Sequence, residues 1–141
     1  MMNAKSIAIM EEFLDYKIIK EAEKAIADLR KGDKDAALRL TSLMLRQTGY
    51  GFYLARREEK LGQKIDTAEA KFIEHRLTIL QRKTRYLTEM VRTEIRQNNY
   101  NAAIANLNLI IRLASAEIKG IKKELKSLTS RFHLLPSFLR R

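Results

Sequence analysis

The sequence predicts an all-α fold, a four-helix bundle with up-down-up-down order that is built from two similar αα-hairpins. Its 141 residues include one proline and five glycines, and most of its abundant residues are good helix formers. Apolar residues recur at spacings of three and four, as they do on the buried face of a helix. Short connections between helices favour antiparallel neighbours. We therefore expect one bundle domain over residues 1–130 and a basic, apolar tail over residues 131–141.

The first helix is predicted over residues 5–31 and the second over residues 33–61. Between them, Gly32 can adopt the left-handed conformation that ends a helix, and Asp33 can cap the next one. We expect Gly62 to end the second helix. The apolar stripe of the first helix comprises Met10, Leu14, Ile18, Ala22, Ile26 and Leu29, and that of the second comprises Ala37, Leu40, Met44, Gly51 and Leu54.

The third helix is predicted over residues 66–97, and its start from Asp66 to Glu69 resembles a capping box. The fourth is predicted over residues 100–130, after the pair Asn98-Asn99. The stripe of the third helix follows a nearly strict seven-residue repeat. The stripes are Ile73, Leu77, Leu80, Thr84, Leu87, Val91 and Ile95 in the third helix, and Leu107, Ile110, Ala114, Ile118, Ile121, Leu125 and Leu128 in the fourth.

Two stretches of the sequence correspond at an offset of 66 residues. Residues 29–46 align with residues 95–112, and the two predicted turns fall at the same place in the alignment. The identical pairs are Arg30/Arg96, Ala36/Ala102, Ala37/Ala103, Leu43/Leu109 and Arg46/Arg112. A duplicated hairpin explains this similarity, and so does convergence of two tight helical turns on one composition.

Positive charge is the strongest functional signal in the sequence. Lys and Arg number 28 against 17 Asp and Glu, which gives a formal net charge of +11. Residues 1–31 are neutral, with six basic and six acidic side chains, so the whole excess lies in residues 32–141. Segregated positive charge favours a polyanionic partner such as nucleic acid.

Three groups of residues are candidate nucleic-acid contacts. At about 100° per residue, the arginine row of the third helix lies roughly 140° from its apolar stripe, on the predicted solvent side. The groups are Arg82, Arg85, Arg92 and Arg96; Lys119, Lys122, Lys123 and Lys126; and Arg46, Arg56, Arg57 and Tyr50. We expect them on a common outer wall of the bundle, where their charged groups can contact phosphates.

Each group also has a simpler interpretation. Any amphipathic helix needs a solvated face, and lysines near a helix C-terminus complement the helix dipole. Gly49 and Gly51 can form a packing notch or a kink in the second helix, or they can frame a surface on which Tyr50 stacks against a base. The tail either folds back over the end of the bundle or docks on a partner or a membrane surface.

The sequence carries no pattern typical of catalysis, metal binding or cofactor binding. Cysteine is absent, which excludes thiolate chemistry. Neither His75 nor His133 has carboxylates at the spacing typical of metal sites in helical bundles. A glycine-rich phosphate loop and a GxSxG motif are also missing. We expect no enzyme, no metal and no cofactor.

In length, helical pattern and the arginine groups within residues 82–96 and 46–57, the chain resembles the small helical subunits of CRISPR effector complexes. The resemblance covers the whole chain in shape and charge and includes no diagnostic motif. It implies a cytoplasmic, non-catalytic subunit that serves antiviral defence by holding RNA or single-stranded DNA by its backbone inside a ribonucleoprotein. Accessory proteins of reverse transcriptases have a similar profile.

Two other functions remain open. A helical adaptor could self-associate through the seven-residue repeat of the third helix, or present its positive face to an acidic protein. Peripheral membrane binding through the tail and the lysines of the fourth helix is a third option. We do not expect a membrane partner, and the main prediction is a nucleic-acid-binding subunit or accessory factor.

Overall fold

The computed structural model describes residues 4–65 and 68–133, and among these the side chains of residues 8–49, 81–123, 125 and 126. It contains four helices and, within those residues, no strand. They are α1 (Ala4–Arg30), α2 (Lys34–Ile65), α3 (Ala68–Arg96) and α4 (Tyr100–His133). The prediction of an all-α four-helix bundle is confirmed.

Two predicted helix ends differ from the observed ones. The helix α2 continues through Gly62 to Ile65, so the expected stop at Gly62 does not occur. Glycine lowers helix propensity by about 1 kcal/mol but leaves the backbone free to continue the helix. The helix α4 runs to His133, into the predicted tail. Residues 66 and 67 of the predicted capping box, and residues 134–141 of the tail, lie outside the described residues.

The turn between α1 and α2 ends one helix and caps the next. Gly32 has a φ of 77°. Its N–H donates to the Leu29 carbonyl at 3.0 Å, and the Asp33 N–H donates to the Asp28 carbonyl at 2.8 Å. These two bonds form the Schellman motif that closes a helix C-terminus. The Asp33 carboxylate then accepts the Ala36 N–H at 3.1 Å as the N-cap of α2.

The turn between α3 and α4 repeats the same bonds 66 residues later. Asn98 has a φ of 59°, and its N–H donates to the Ile95 carbonyl at 3.0 Å. The Asn99 N–H donates to the Glu94 carbonyl at 2.8 Å, and the Asn99 side-chain oxygen accepts the Ala102 N–H at 3.4 Å. The predicted stop-and-cap chemistry of both turns is confirmed.

Burial follows the same offset along both hairpins. Nine buried positions of the first hairpin have a buried counterpart 66 residues later, although the two residue types often differ. Among positions described in both hairpins, the exception is Ile26, whose counterpart Arg92 is only partly buried. The buried pairs are Asp15/Gln81, Ile18/Thr84, Ala22/Thr88, Ala25/Val91, Leu29/Ile95, Ala37/Ala103, Thr41/Leu107, Met44/Ile110 and Thr48/Ala114. The similarity detected in the sequence therefore extends to three dimensions.

The four helices form a closed ring in which each helix packs against two others. The helix α1 contacts α2 and α4, and α3 contacts α2 and α4. Hydrogen bonds join Gln47 to Glu21, Arg92 to Leu38 and Asn106 to Glu94. The Gln47–Glu21 and Asn106–Glu94 bonds each connect, within one hairpin, positions at similar distances from the turn, as antiparallel neighbours require. The Arg92–Leu38 bond joins the two hairpins. The arrangement is consistent with the predicted up-down-up-down order.

Gly32 and Gly49 should respond in opposite ways to substitution by alanine. A Cβ at either Gly32 or Gly49 would meet no atom within 4 Å, so backbone conformation alone decides the effect. Gly32→Ala forces a Cβ into the left-handed region and should lower the free energy of unfolding by about 1–2 kcal/mol. Gly49→Ala, inside α2, should raise it by about 0.5–1 kcal/mol. Urea denaturation followed by circular dichroism measures both, and equal signs would contradict this assignment.

Candidate nucleic-acid interface

The described surface is more basic than the composition suggests. Among the residues whose side chains are described, 16 Lys and Arg side chains are exposed, against four exposed acids, Glu23, Asp33, Asp35 and Glu89. Other acids face inward: Glu11, Asp15 and Glu117 are buried, and Glu12, Glu21, Asp28 and Glu94 are partly buried. The charged side chains that face solvent are therefore mostly cationic.

This inward placement also affects α1, the segment that is neutral by composition. Among the described side chains of α1, the exposed charged ones comprise four cations and one acid, and the residue after the helix, Lys31, is exposed as well. The four cations are Lys17, Lys20, Lys24 and Arg30, and the acid is Glu23. The positive surface thus includes α1, which the charge count along the sequence did not predict.

Three of the four arginines in the predicted row on α3 are exposed. Arg82, Arg85 and Arg96 face solvent. The Arg85 side chain lies 3.6 Å from the Glu89 carboxylate, one turn further along the helix. More than half of each of these two side chains is exposed (53% and 58%), and such a pair contributes little to stability. These three guanidinium groups are accessible to a ligand.

Arg92 was expected on the solvent side, and this prediction is wrong. Its guanidinium donates to the Leu38 carbonyl at 2.6 Å and to the Thr41 hydroxyl at 2.9 Å. It is partly buried between α3 and α2. Burial lowers the pKa of Arg92 from its usual value, and the nearby positive charge of Arg96 lowers it further. Arg92 therefore joins two helices of the bundle.

The apolar stripe alone misplaced the buried face of α3. The buried residues of its described half are Gln81, Thr84, Thr88, Val91 and Ile95, while Leu87 is only partly buried. At about 100° per residue, this face is rotated roughly 35° toward the arginines from the predicted stripe. Threonine can be buried there because its hydroxyl bonds within its own helix, as Thr88 does to the Thr84 carbonyl at 2.7 Å.

The lysine group on α4 is fully accessible. Lys119, Lys122, Lys123 and Lys126 are all exposed. The Lys122 ammonium lies 5.6 Å from the centre of the Tyr16 ring on α1, within the range of a cation–π contact. Its hydrogen bond to Tyr16 raises the pKa of Lys122 above the usual value. Lys122 therefore stays charged at neutral pH, and through it the lysine group extends to α1.

The arginine and lysine groups do not share one outer wall. The Arg92 side chain contacts α2. Arg85 and Arg96 lie on the same side of α3 as Arg92, within about 50° of it around the helix axis. Lys122 lies on the opposite side of the ring, where α4 meets α1. The α2–α3 and α4–α1 faces have no helix in common and are equivalent under the 66-residue offset. The expectation of a common wall is therefore wrong.

The third group borders a groove between α1 and α2. Arg46 is exposed, and it lines a groove of about 560 Å³ together with Ile9, Met10, Phe13 and Lys17. Gly49 continues α2 without a neighbour that it could accommodate, so it forms no packing notch. The side chains of Tyr50, Gly51, Arg56 and Arg57 lie outside the described ones.

Sequence reasoning missed the exposed rings beside this groove. Phe13 is 64% exposed and Tyr16 42% exposed, and Ile9 precedes them at 50%. Their spacing of four and three residues places them on one stripe of α1. The spacing is visible in the sequence. It was missed because these residues lie next to the core stripe of α1 and because the segment has no net charge, so nothing marked them as a binding surface.

A polar pair connects α1 to α2 at the edge of the core. The Gln47 amide donates to the Glu21 carboxylate at 2.6 Å. The residues 66 positions later, Leu87 and Leu113, are both apolar and equally placed at the edge of the core. Burial raises the pKa of Glu21 above its usual value, and the Gln47 hydrogen bond and the Lys17 charge partly oppose this.

No metal site or membrane span is found within the residues described. No group of three or more His, Cys, Asp or Glu side chains there is placed to hold a metal ion. No helix in that part of the chain combines the length and the apolar character that crossing a membrane requires. Neither protein-family models, nor curated proteins, nor solved structures give a match to this chain.

Removing the Arg92 guanidinium should weaken the contact between α2 and α3. We expect Arg92→Ala to lower the free energy of unfolding by about 1–2 kcal/mol, since two charge-assisted hydrogen bonds at a partly buried site are lost. Arg85→Ala, at an exposed position on the same helix, should change it by less than about 0.5 kcal/mol. Chemical denaturation measures both, and equal effects would show that Arg92 is not a packing residue.

Neutralising Glu21 should stabilise the bundle at neutral pH. Its pKa is raised in the folded state, so stability is lost as the pH rises from the unfolded pKa through the folded one. Glu21→Gln keeps an acceptor for Gln47 and removes this loss. We expect it to raise the melting temperature at pH 7 and to have no such effect below about pH 4. Glu23→Gln, exposed on the same helix, is the charge-matched control, and a benefit of Glu21→Gln that persisted at low pH would contradict the cause assigned.

Proposed function

We propose that this protein is a non-catalytic, nucleic-acid-binding helical subunit or accessory factor of a larger ribonucleoprotein. The observation that carries the proposal is the excess of exposed cations over exposed acids, 16 against four among the described side chains. Such a surface attracts a polyanion and releases counterions when it binds one.

Backbone contact is the mode that this surface supports. Residues 82–96 extend over roughly 21 Å of helix. Within each strand of a DNA duplex, the phosphates are spaced about 3.4 Å apart along the duplex axis. Arg82, Arg85 and Arg96 can each offer two parallel N–H donors to a phosphate. A helix face of this kind contacts the backbone more than base edges, so low sequence specificity is expected.

The two cationic faces suit a protein that holds two segments of nucleic acid. A strand bound along the α2–α3 face leaves the α4–α1 face and its lysines accessible. Such a bridging arrangement fits the proposed role inside a larger ribonucleoprotein. This part of the proposal depends on the two groups lying on opposite sides of the ring.

A protein-interaction adaptor is the second candidate. Leu43 and Leu109, equivalent under the 66-residue offset, are exposed at 42% and 37%. Two matching apolar positions could contact another helical protein or a second copy of the chain. Light scattering gives the oligomeric state, and a pull-down after nuclease treatment separates the candidates, because a protein contact survives the nuclease.

Salt dependence tests the nucleic-acid proposal. We expect binding to single-stranded RNA and DNA to weaken as salt rises, with a log–log slope of about −0.7 for each phosphate neutralised. The triple variant Arg82→Gln, Arg85→Gln, Arg96→Gln should reduce that slope by about 2. Fluorescence anisotropy of labelled oligonucleotides at several salt concentrations measures the slope.

The control for this test changes the same charge elsewhere. Lys31→Gln, Lys83→Gln and Arg112→Gln together remove three exposed cations that lie outside the proposed contacts. They should reduce the slope less than the α3 triple variant. A slope near zero for the unmodified protein, or no binding at low salt, would reject the proposal.

A further inference from the structure

The exposed stripe on α1 is a short aromatic surface with cations on both sides. Phe13 and Tyr16 follow Ile9 along one face of the helix, and all three are exposed. On the α2 side, Lys17 and Arg46 line the groove next to Phe13. On the α4 side, the Lys122 ammonium lies against the Tyr16 ring. Apolar rings and positive charges thus meet within about two helical turns.

We infer that this stripe is a base-stacking platform for single-stranded nucleic acid. The inference rests on the proposed function and adds a preference for unpaired bases. Unpaired bases offer flat apolar faces, and their backbone carries a negative charge at each nucleotide. Phe13 and Tyr16 can stack on the bases while Lys17, Arg46 and Lys122 contact the flanking phosphates. A duplex hides its base faces and gains nothing from the rings.

Charge and length favour this ligand over a membrane surface. The stripe extends from residue 9 to residue 16, roughly 10 Å along the helix. Beyond Tyr16, the next residue along the same face is the exposed Lys20. An amphipathic helix that lies in a membrane interface presents a long apolar face, whereas this stripe has room for only one or two bases.

Substitutions at Phe13 separate stacking from general apolar contact. Phe13 is exposed, so changing it should leave the fold intact. We expect both Phe13→Ala and Phe13→Leu to weaken oligo(dT) binding by roughly 5- to 100-fold, and Phe13→Tyr to bind like the unmodified protein. An abasic oligomer with the same phosphates should bind all four proteins equally. If Phe13→Leu binds oligo(dT) as well as the unmodified protein does, the ring is not stacking and the inference is wrong.

Fluorescence gives an independent readout. The sequence has no tryptophan, so Phe13→Trp introduces a single probe at the stripe, and Leu109→Trp introduces one at an exposed position on α4. Oligo(dT) should quench the tryptophan at position 13 and leave the one at position 109 unchanged, and the abasic oligomer should quench neither. Equal quenching at both positions, or none at position 13, would overturn the inference.

The two proposals fail in different ways. If the unmodified protein binds neither oligo(dT) nor the abasic oligomer at low salt, the proposed function and the platform both fail. If it binds both, with the expected salt slope, but all Phe13 variants bind alike, only the platform fails. A blue shift of the tryptophan at position 13 on phosphatidylglycerol vesicles, without quenching by oligo(dT), would identify a lipid surface instead.

Discussion

The fold depends on two residues that end helices in the left-handed conformation. The chain reverses within residues 31–33 and again within residues 97–99, and Gly32 and Asn98 take the positive φ angles that this requires. The next residue, Asp or Asn, closes one helix through its N–H and caps the following helix through its side chain. Because both turns have the same bonds, the helices that leave them start in the same register. The fully buried Ala37 and Ala103 follow at once, so each antiparallel pair is in close contact from its first turn, and nine buried positions of the two hairpins correspond.

On this shared framework the two halves differ in the polarity of equivalent contacts. Arg92 donates to Thr41 where the other half has the buried residues Ile26 and Leu107. Glu21 accepts from Gln47 where the other half has Leu87 and Leu113. Both polar pairs include a residue of α2, which is therefore held on its two sides by hydrogen bonds in addition to apolar packing. Leaving one member of such a pair without its partner is costly, whereas two apolar residues lose only contact area. These pairs restrict which helices can face each other, and they explain why an arginine in a predicted solvent row lies at a helix interface.

Periodicity and turn chemistry were sufficient for the all-α fold, the number of helices and both turns, because these features depend on local sequence. The side of each helix that becomes buried depends on its neighbours. Counting only apolar residues could not anticipate the burial of Thr88 and Gln81, and the resulting rotation of the α3 face moved Arg92 inward. Gly62 and Gly49 show a similar limit, since a glycine permits a helix stop or a notch without requiring one. The arrangement of the cationic groups around the ring is also non-local, and the linear sequence gave no basis for assigning them to faces.

The same limit explains why charge counted along the chain concealed part of the interface. A segment with equal numbers of acids and bases presents a neutral surface only if both kinds of side chain are equally exposed. In α1 the acids Glu11 and Asp15 occupy core positions, while Lys17, Lys20 and Lys24 face solvent. A ligand approaching α1 therefore meets cations beside Phe13 and Tyr16, although the segment carries no net charge. The local electrostatic potential and the exposed aromatic rings, more than the net charge of a segment, determine where a flexible polyanion binds. The neutral helix is for this reason a place where aromatic and ionic contacts can act on the same strand.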